Sequence, residues 1–130
     1  MRRPLREPGC VFCTMAADHR RAENLLAYTV RDTSPVTPLH TLIVPKRHAA
    51  SYFDLNTEEN SAIDKLLEQS RLDIVACDPT VMGFNIGINI GEVAGQTILH
   101  CHVHLIPRRI GDVVNPRGGV RAVIPGKALY

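Results

Sequence analysis

Residues 98–107 read ILHCHVHLIP, with histidines at 100, 102 and 104 and Cys101, Val103 and Leu105 in the gaps. Side chains on a β-strand point alternately to its two faces, so this pattern predicts a strand over 97–107. Cys101, Val103 and Leu105 would enter a core, and the three histidines would share the other face. A single exposed histidine is commonplace. Here half of the chain's six histidines fall within five residues, which a merely solvated strand face does not account for. Histidine is useful where a neutral nitrogen must attack or move protons near pH 7, or where a metal must be held. Residues two apart on a strand lie roughly 7 Å apart and residues four apart about 13 Å. Two of the three rings could converge on one ion, whose bonds to nitrogen are about 2.0–2.1 Å, but all three could not. At least one histidine must have a separate task.

The rest of the chain predicts a small α+β domain with an antiparallel sheet. Strands are expected over 25–32, 39–45 and 83–90, besides 97–107. Turns are expected at 33–38 and 91–96, the second rich in glycine. Asn56 with Glu59 forms a capping-box signature, and Ile63, Leu66, Leu67 and Ile74 keep a helical spacing, so one long helix is expected over 57–77. Asp78, Pro79 and Thr80 end it. Residues 1–9 read as a loose tail, and 111–130 carry no clear element.

A chain of 130 residues is expected to be one domain with a core that needs no disulfides. A net charge of +2 makes no nucleic-acid footprint. The basic start lacks the apolar stretch of a signal peptide, and no run is apolar enough to span a membrane. A cytoplasmic protein with reduced cysteines is the expectation, with neither nucleic acid nor membrane as partner. Cys10 and Cys13 form a C-x-x-C, which fits either zinc or a redox pair. The redox form expects a βαβ context, and this pair stands almost at the N-terminus. Zinc would need two further ligands, and His19, His40, His48 and the three clustered histidines are the candidates. Cys77 and Cys101 read as small buried hydrophobes.

The segment HCHVHLI matches His-φ-His-φ-His-φ-φ, with φ apolar, and resembles the histidine triad (HIT) superfamily of nucleotide hydrolases and transferases. The likeness extends through NIGEVAGQTILHCHVHLIPRR and RDTSPVTPLHTLIVPKRH, and CVFC with GDVVNPRGGV looks like the zinc-bearing bacterial branch. The resemblance implies a single HIT domain over 1–130. Its fold would be an antiparallel sheet of about five strands, one long helix and a shorter N-terminal helix, with two protomers pairing into one continuous sheet. It implies cleavage at the α-phosphorus of a nucleoside phosphoramidate, dinucleoside polyphosphate or adenylated ester through a covalent nucleotidyl-histidine. The partner would be a purine nucleotide or its conjugate.

In that reading His102 is the nucleophile and His104 bonds the phosphate or the leaving atom. Gln96 and Thr97, beside Gly95, contact phosphate and leaving group. Asn89 faces phosphate and ribose, Asp32 holds the ribose hydroxyls, and His40 is a further site histidine. Val11, Phe12 and Val30 pack the base. The resemblance also assigns a structural zinc to Cys10, Cys13, His48 and His100. A phosphorylase using phosphate as acceptor, or a zinc-stabilised nucleotide-binding module with little turnover, are the competing functions.

Overall fold

The computed structural model describes residues 6–130; residues 1–5 of the expected tail lie outside the described residues. Five strands make one sheet: β1 (Ala22–Glu23), β2 (Ala27–Arg31), β3 (Thr41–Pro45), β4 (Val81–Gly87) and β5 (Val103–Arg109). Their order is β1-β2-β3-β5-β4, and every pairing is antiparallel. The helix α1 (Thr57–Cys77) joins β3 to β4. Among the described residues no helix is long and apolar enough to cross a membrane.

The helix occupies the expected span because its first turn is capped in both directions. The Asn56 side chain accepts from the Glu59 N–H at 2.8 Å, and the Glu59 carboxylate accepts from the Asn56 N–H at 3.0 Å. Glu59 is buried and also takes a two-pronged bond from Arg47, at 2.9 and 2.7 Å. Burial alone would raise the Glu59 carboxyl, but the Arg47 and Asn56 bonds hold it below the ordinary carboxylate range. The helix start is thus tied to the residue next to His48. Ile63, Leu66 and Ile74 lie on one side of α1 and pack against Ala27, Ile43, Val103 and Leu105 of the sheet. Cys77, expected inside, is exposed: it is the last helical residue, beyond Ile74, where the buried row ends. Cys101 is buried as expected.

The opposite face of the sheet carries a smaller apolar group of Phe12, Tyr28, Leu42 and Val44. Phe12 brings the N-terminal segment onto that face, and the Tyr28 hydroxyl donates to the Phe12 carbonyl at 2.7 Å. Alternation along β5 puts Val103 and Leu105 towards the helix and His104, which pairs with Leu42, towards Phe12's side.

Most strand ends differ from the expected ones, some because of local turns and some because of contacts between distant segments. β2 starts at Ala27 because Asn24 accepts from the N–H groups of Leu26 and Ala27, folding 24–26 into a turn. β3 starts at Thr41 because Leu39 adopts a φ of +72° and the His40 N–H turns back to the Thr37 carbonyl. β4 ends at Gly87, opposite His104, where the ladder with β5 stops. β5 itself starts six residues later than expected. The Cys101 N–H donates to the Ala49 carbonyl, so residues 98–102 follow the segment after β3 instead of the ladder. The histidines at 100 and 102 therefore precede the strand, and the even alternation begins only at Val103. Pro107 does not close β5; it sits within it, and its carbonyl accepts from Thr37.

The expected shorter N-terminal helix is reduced, among the described residues, to a tight turn at the two cysteines and a single 3-10 turn at Ala17–His19. The C-terminal stretch, expected to be featureless, contains a 3-10 turn at Gly119–Val123. Gly118 precedes it with a φ of +85°, and a Cβ there would lie 1.7 Å from the Ala128 carbonyl oxygen, so only glycine fits.

Candidate functional site

Cys10 and Cys13 stand on one turn, in which the Thr14 N–H donates to the Cys10 carbonyl at 3.1 Å. His48 follows β3 and His100 precedes β5. The four side chains converge. Cys13 Sγ lies 3.2 Å from His48 Nδ1 and 3.5 Å from His100 Nδ1; Cys10 Sγ is also 3.5 Å from His100 Nδ1, and the two Nδ1 atoms are 3.2 Å apart. A tetrahedral zinc with ordinary bond lengths needs donor separations of about 3.3–3.8 Å. The proton positions fit as well. His100 Nε2 is 2.7 Å from the Pro45 carbonyl, which can only accept, so the ring proton sits there and Nδ1 keeps its lone pair. His48 Nε2 is 2.7 Å from a Glu7 carboxylate oxygen, with the same result. Burial holds the His100 imidazole below its ordinary range and therefore neutral. Burial also pushes the Cys13 thiol up, a cost that a divalent cation beside it reverses. Cys10, Cys13, His48 and His100 thus form a closed four-ligand cluster that can hold a metal ion. His19 is exposed and takes no part in it.

His102 and His104 belong to a second arrangement. His102 Nδ1 donates to the His100 carbonyl at 2.8 Å, so its Nε2 carries the lone pair. The ring leans on Phe12 at 5.0 Å between centroids and lies 5.2 Å from the His104 ring. His104 is ordered by a chain of bonds. The Val36 N–H donates to His40 Nδ1 at 3.0 Å, which places the His40 proton on Nε2. Nε2 in turn donates to His104 Nδ1 at 2.9 Å. The His104 proton is therefore on Nε2, a buried atom without a partner among the described residues. Burial is the main reason that both His40 and His104 stay below the ordinary histidine range.

Asp32 has a carboxylate oxygen 3.6 Å from His40 Nε2. Asp32, His40 and His104 are close enough to suit a metal. Proton counting argues otherwise. A neutral ring that accepts at Nδ1 must be protonated at Nε2 and cannot ligate there without losing the Val36 bond.

Asp32, His40, Asn89 and His104 line one cleft of about 790 Å³, together with Asn85, Arg108 and part of the C-terminal turn. Thr97 and Val11 line a smaller cleft of about 390 Å³ beside Cys10 and His48. Phe12 is buried and Val30 packs against its group, while Val11 is exposed. Gln96 is committed internally. Its amide donates to the carbonyls of Ala50 and Ile98 at 2.8 and 3.1 Å, and its oxygen accepts from the Gly91 N–H at 2.9 Å. The N–H groups of Ala94, Gly95 and Gln96 all turn back into the 91–96 loop. The loop is therefore hydrogen-bonded back on itself, and Gly95, with a φ of +94°, closes its turn.

A family model described as HIT domain matches residues 16–111. The chain belongs to the HIT family.

Among solved HIT structures, a zinc-bound histidine triad family protein from Mycobacterium smegmatis is 32% identical, covers 82% of this chain and 80% of its own, and superposes with a TM-score of 0.73. The diadenosine triphosphate hydrolase of Plasmodium falciparum is 30% identical over 78% of this chain and 68% of its own, with a TM-score of 0.67. By sequence, an AP-4-A phosphorylase of Mycobacterium tuberculosis is 35% identical over 92 residues, 70% of this chain but only 47% of that protein.

Two participants escape sequence reading in this HIT domain. Val36 contributes through its main chain, which any residue supplies. Glu7 lies in a polar, charged approach with no pattern to single it out. Arg108, in the PRR segment, forms a charge pair with Asp112 at 2.7 Å and also bonds Asn85 at 2.6 Å.

Proposed function

We propose that this HIT protein cleaves nucleotide conjugates at the α-phosphorus by way of a covalent bond to His102. The observation that carries the reading is the pair of fixed, opposite proton states. His102 keeps a lone pair on Nε2, and the adjacent His104 keeps a proton on Nε2. A nucleophile needs the first, and a hydrogen-bond donor to the leaving atom needs the second. His102 Nε2 attacks phosphorus as the bond to the leaving oxygen or nitrogen breaks, and the His104 Nε2–H hydrogen-bonds the leaving atom, which takes any proton it needs from solvent. Water then attacks the nucleotidyl-histidine, loses its proton to solvent, releases the monophosphate and restores the His102 ring. Neutral imidazole approaches an anionic phosphate without charge repulsion. Asp32 and Asn89 would hold ribose and phosphate in the larger cleft, and Val11, Phe12 and Val30 would border the purine. Gln96, with its amide engaged by main chain, supports this best by fixing the loop before Thr97.

The names of two relatives, a diadenosine triphosphate hydrolase and an AP-4-A phosphorylase, support a substrate with a purine nucleotide and a polyphosphate or related link. The second relative also supports phosphate as an alternative acceptor. Products from a panel of adenosine phosphoramidates, dinucleoside polyphosphates and adenylated esters, with and without phosphate, decide between them. Adenosine diphosphate formed from a dinucleoside polyphosphate only when phosphate is added would favour the phosphorylase. No cleavage of any member would leave only the binding module.

A zinc ion at Cys10, Cys13, His48 and His100 is part of the same proposal. It would be structural, since all four positions are taken by protein. Pairing of two protomers into a continuous sheet is also proposed. The seven-residue edge strand β4, with Met82 and Ile86 exposed, supports it as the joining edge. Sedimentation at micromolar concentration is expected to give twice 14.4 kDa; a monomer would overturn the pairing.

A further inference from the structure

Glu7 stands three residues before Cys10, on the exposed approach to the cysteine turn. It is bonded to three of the four metal-type residues. Its carbonyl accepts from the Cys10 N–H at 3.1 Å, its own N–H donates to Cys13 Sγ at 3.3 Å, and its carboxylate meets His48 Nε2 at 2.7 Å. The first two links are main-chain bonds, open to almost any residue. The third requires an acceptor side chain that reaches His48.

An imidazole ligates through the nitrogen that lacks a proton, so whatever binds the other nitrogen decides whether the ring is ready. At His100 that task falls to the Pro45 carbonyl, and the ring is fully buried. At His48 it falls to a carboxylate, and the ring borders the small open cleft with Glu7, Cys10 and Thr97. The two histidine arms are therefore unequal. One is held by a main chain inside the protein, the other by a single side chain at its surface. Carboxylates on the far nitrogen of a ligating histidine fix its orientation and raise its basicity.

We infer that Glu7 is a positioning residue for the metal site: it keeps His48 in its ligating form and sets the rate at which the ion escapes. The inference rests on the zinc proposal. The His48 arm, buried but bordering the small cleft where His100 is fully enclosed, opens first, and the Glu7 carboxylate opposes that opening.

The test measures transfer of zinc from the intact zinc-loaded protein to excess of a chromogenic chelator at neutral pH. Glu7→Ala is expected to release zinc roughly 10–100-fold faster than wild type, the usual consequence of losing such a partner. Glu7→Gln is expected to stay within about threefold of wild type, because its amide oxygen accepts the same proton. Ring ¹⁵N shifts of His48 should report a proton fixed on Nε2 in wild type and in Glu7→Gln. Release from Glu7→Ala within twofold of wild type would overturn the inference, and so would Glu7→Gln releasing as fast as Glu7→Ala. Should Glu7→Ala fail to fold, Glu7→Leu, of similar bulk but without an acceptor, carries the same test: release within twofold of wild type overturns the inference. Wild-type protein that carries no zinc would instead sink the zinc proposal itself.

Discussion

Replacing His102 with alanine is expected to abolish turnover while leaving the fold and metal content unchanged. The ring is half-buried; among the described residues it bonds the His100 carbonyl and leans on Phe12 and His104, none of which holds the sheet together. The metal-type cluster uses the His100 ring and not its neighbour. Binding of a nucleoside monophosphate should survive within about tenfold, equivalent to about 1.4 kcal/mol, because Asp32 and Asn89 line the larger cleft and His102 is not among its lining residues. His104→Ala should be milder, with a loss of roughly 10²–10³ in rate, as for removal of a hydrogen-bond donor to developing charge. Quenching the wild-type reaction without acid should trap a nucleotide on residue 102, labile to acid and stable to base. Near-full turnover by His102→Ala, or an adduct on a different residue, would refute the covalent route.

Cys13→Ser is expected to lose the ion and to melt well below the wild type. Cys13 is 4% exposed and touches both histidines of the cluster. A serine hydroxyl is a poor zinc ligand near neutral pH, and the buried rings would face each other without a cation. Binding energy at a site absent from the unfolded chain is folding energy. A loss of about 3 kcal/mol or more is expected, since one ligand's removal forfeits part of the binding energy typical of structural zinc. For a domain of this size that lowers the melting temperature by roughly 10 °C. Elemental analysis of wild type purified without added metal should give near one zinc per chain. Full zinc occupancy in both Cys13→Ser and His48→Ala would mean that other residues hold it.

What the sequence revealed follows the range of the forces involved. The helix was legible to the residue, because its cap, Asn56 with Glu59, and its apolar row are local. The strand ends were not. Some depend on a side chain's choice of local partner, as where Asn24 folds back on Leu26 and Ala27, and others on distant segments, as where the Ala49 carbonyl draws Cys101 aside or the ladder runs out at Gly87. The clustering of Cys10, Cys13, His48 and His100 was legible through the paired cysteines and the family resemblance. The spacing of the histidines had already shown that one must leave the group. Gln96 illustrates the limit. Its residue type fits a phosphate contact, and only the fold shows its amide spent on Ala50 and Ile98.

The Cys10–His100 contact joins positions 90 apart in the chain, and Cys13–His48 joins positions 35 apart. An ion between them is a cross-link spanning most of the polypeptide. Closing a ring of that length in a disordered chain costs about 4–5 kcal/mol of conformational entropy. The sheet meets this cost first, since pairing of Ile43 with Val103 already draws His48 and His100 together. The ion then has only the short arm carrying Cys10 and Cys13 left to fasten. Assembly should therefore run from sheet to arm, and depletion of metal should reverse it. The arm, with Phe12, would peel from the sheet before the helix and strands part. Amide exchange near residues 10–14 should accelerate on chelation well ahead of exchange in β3 and β5.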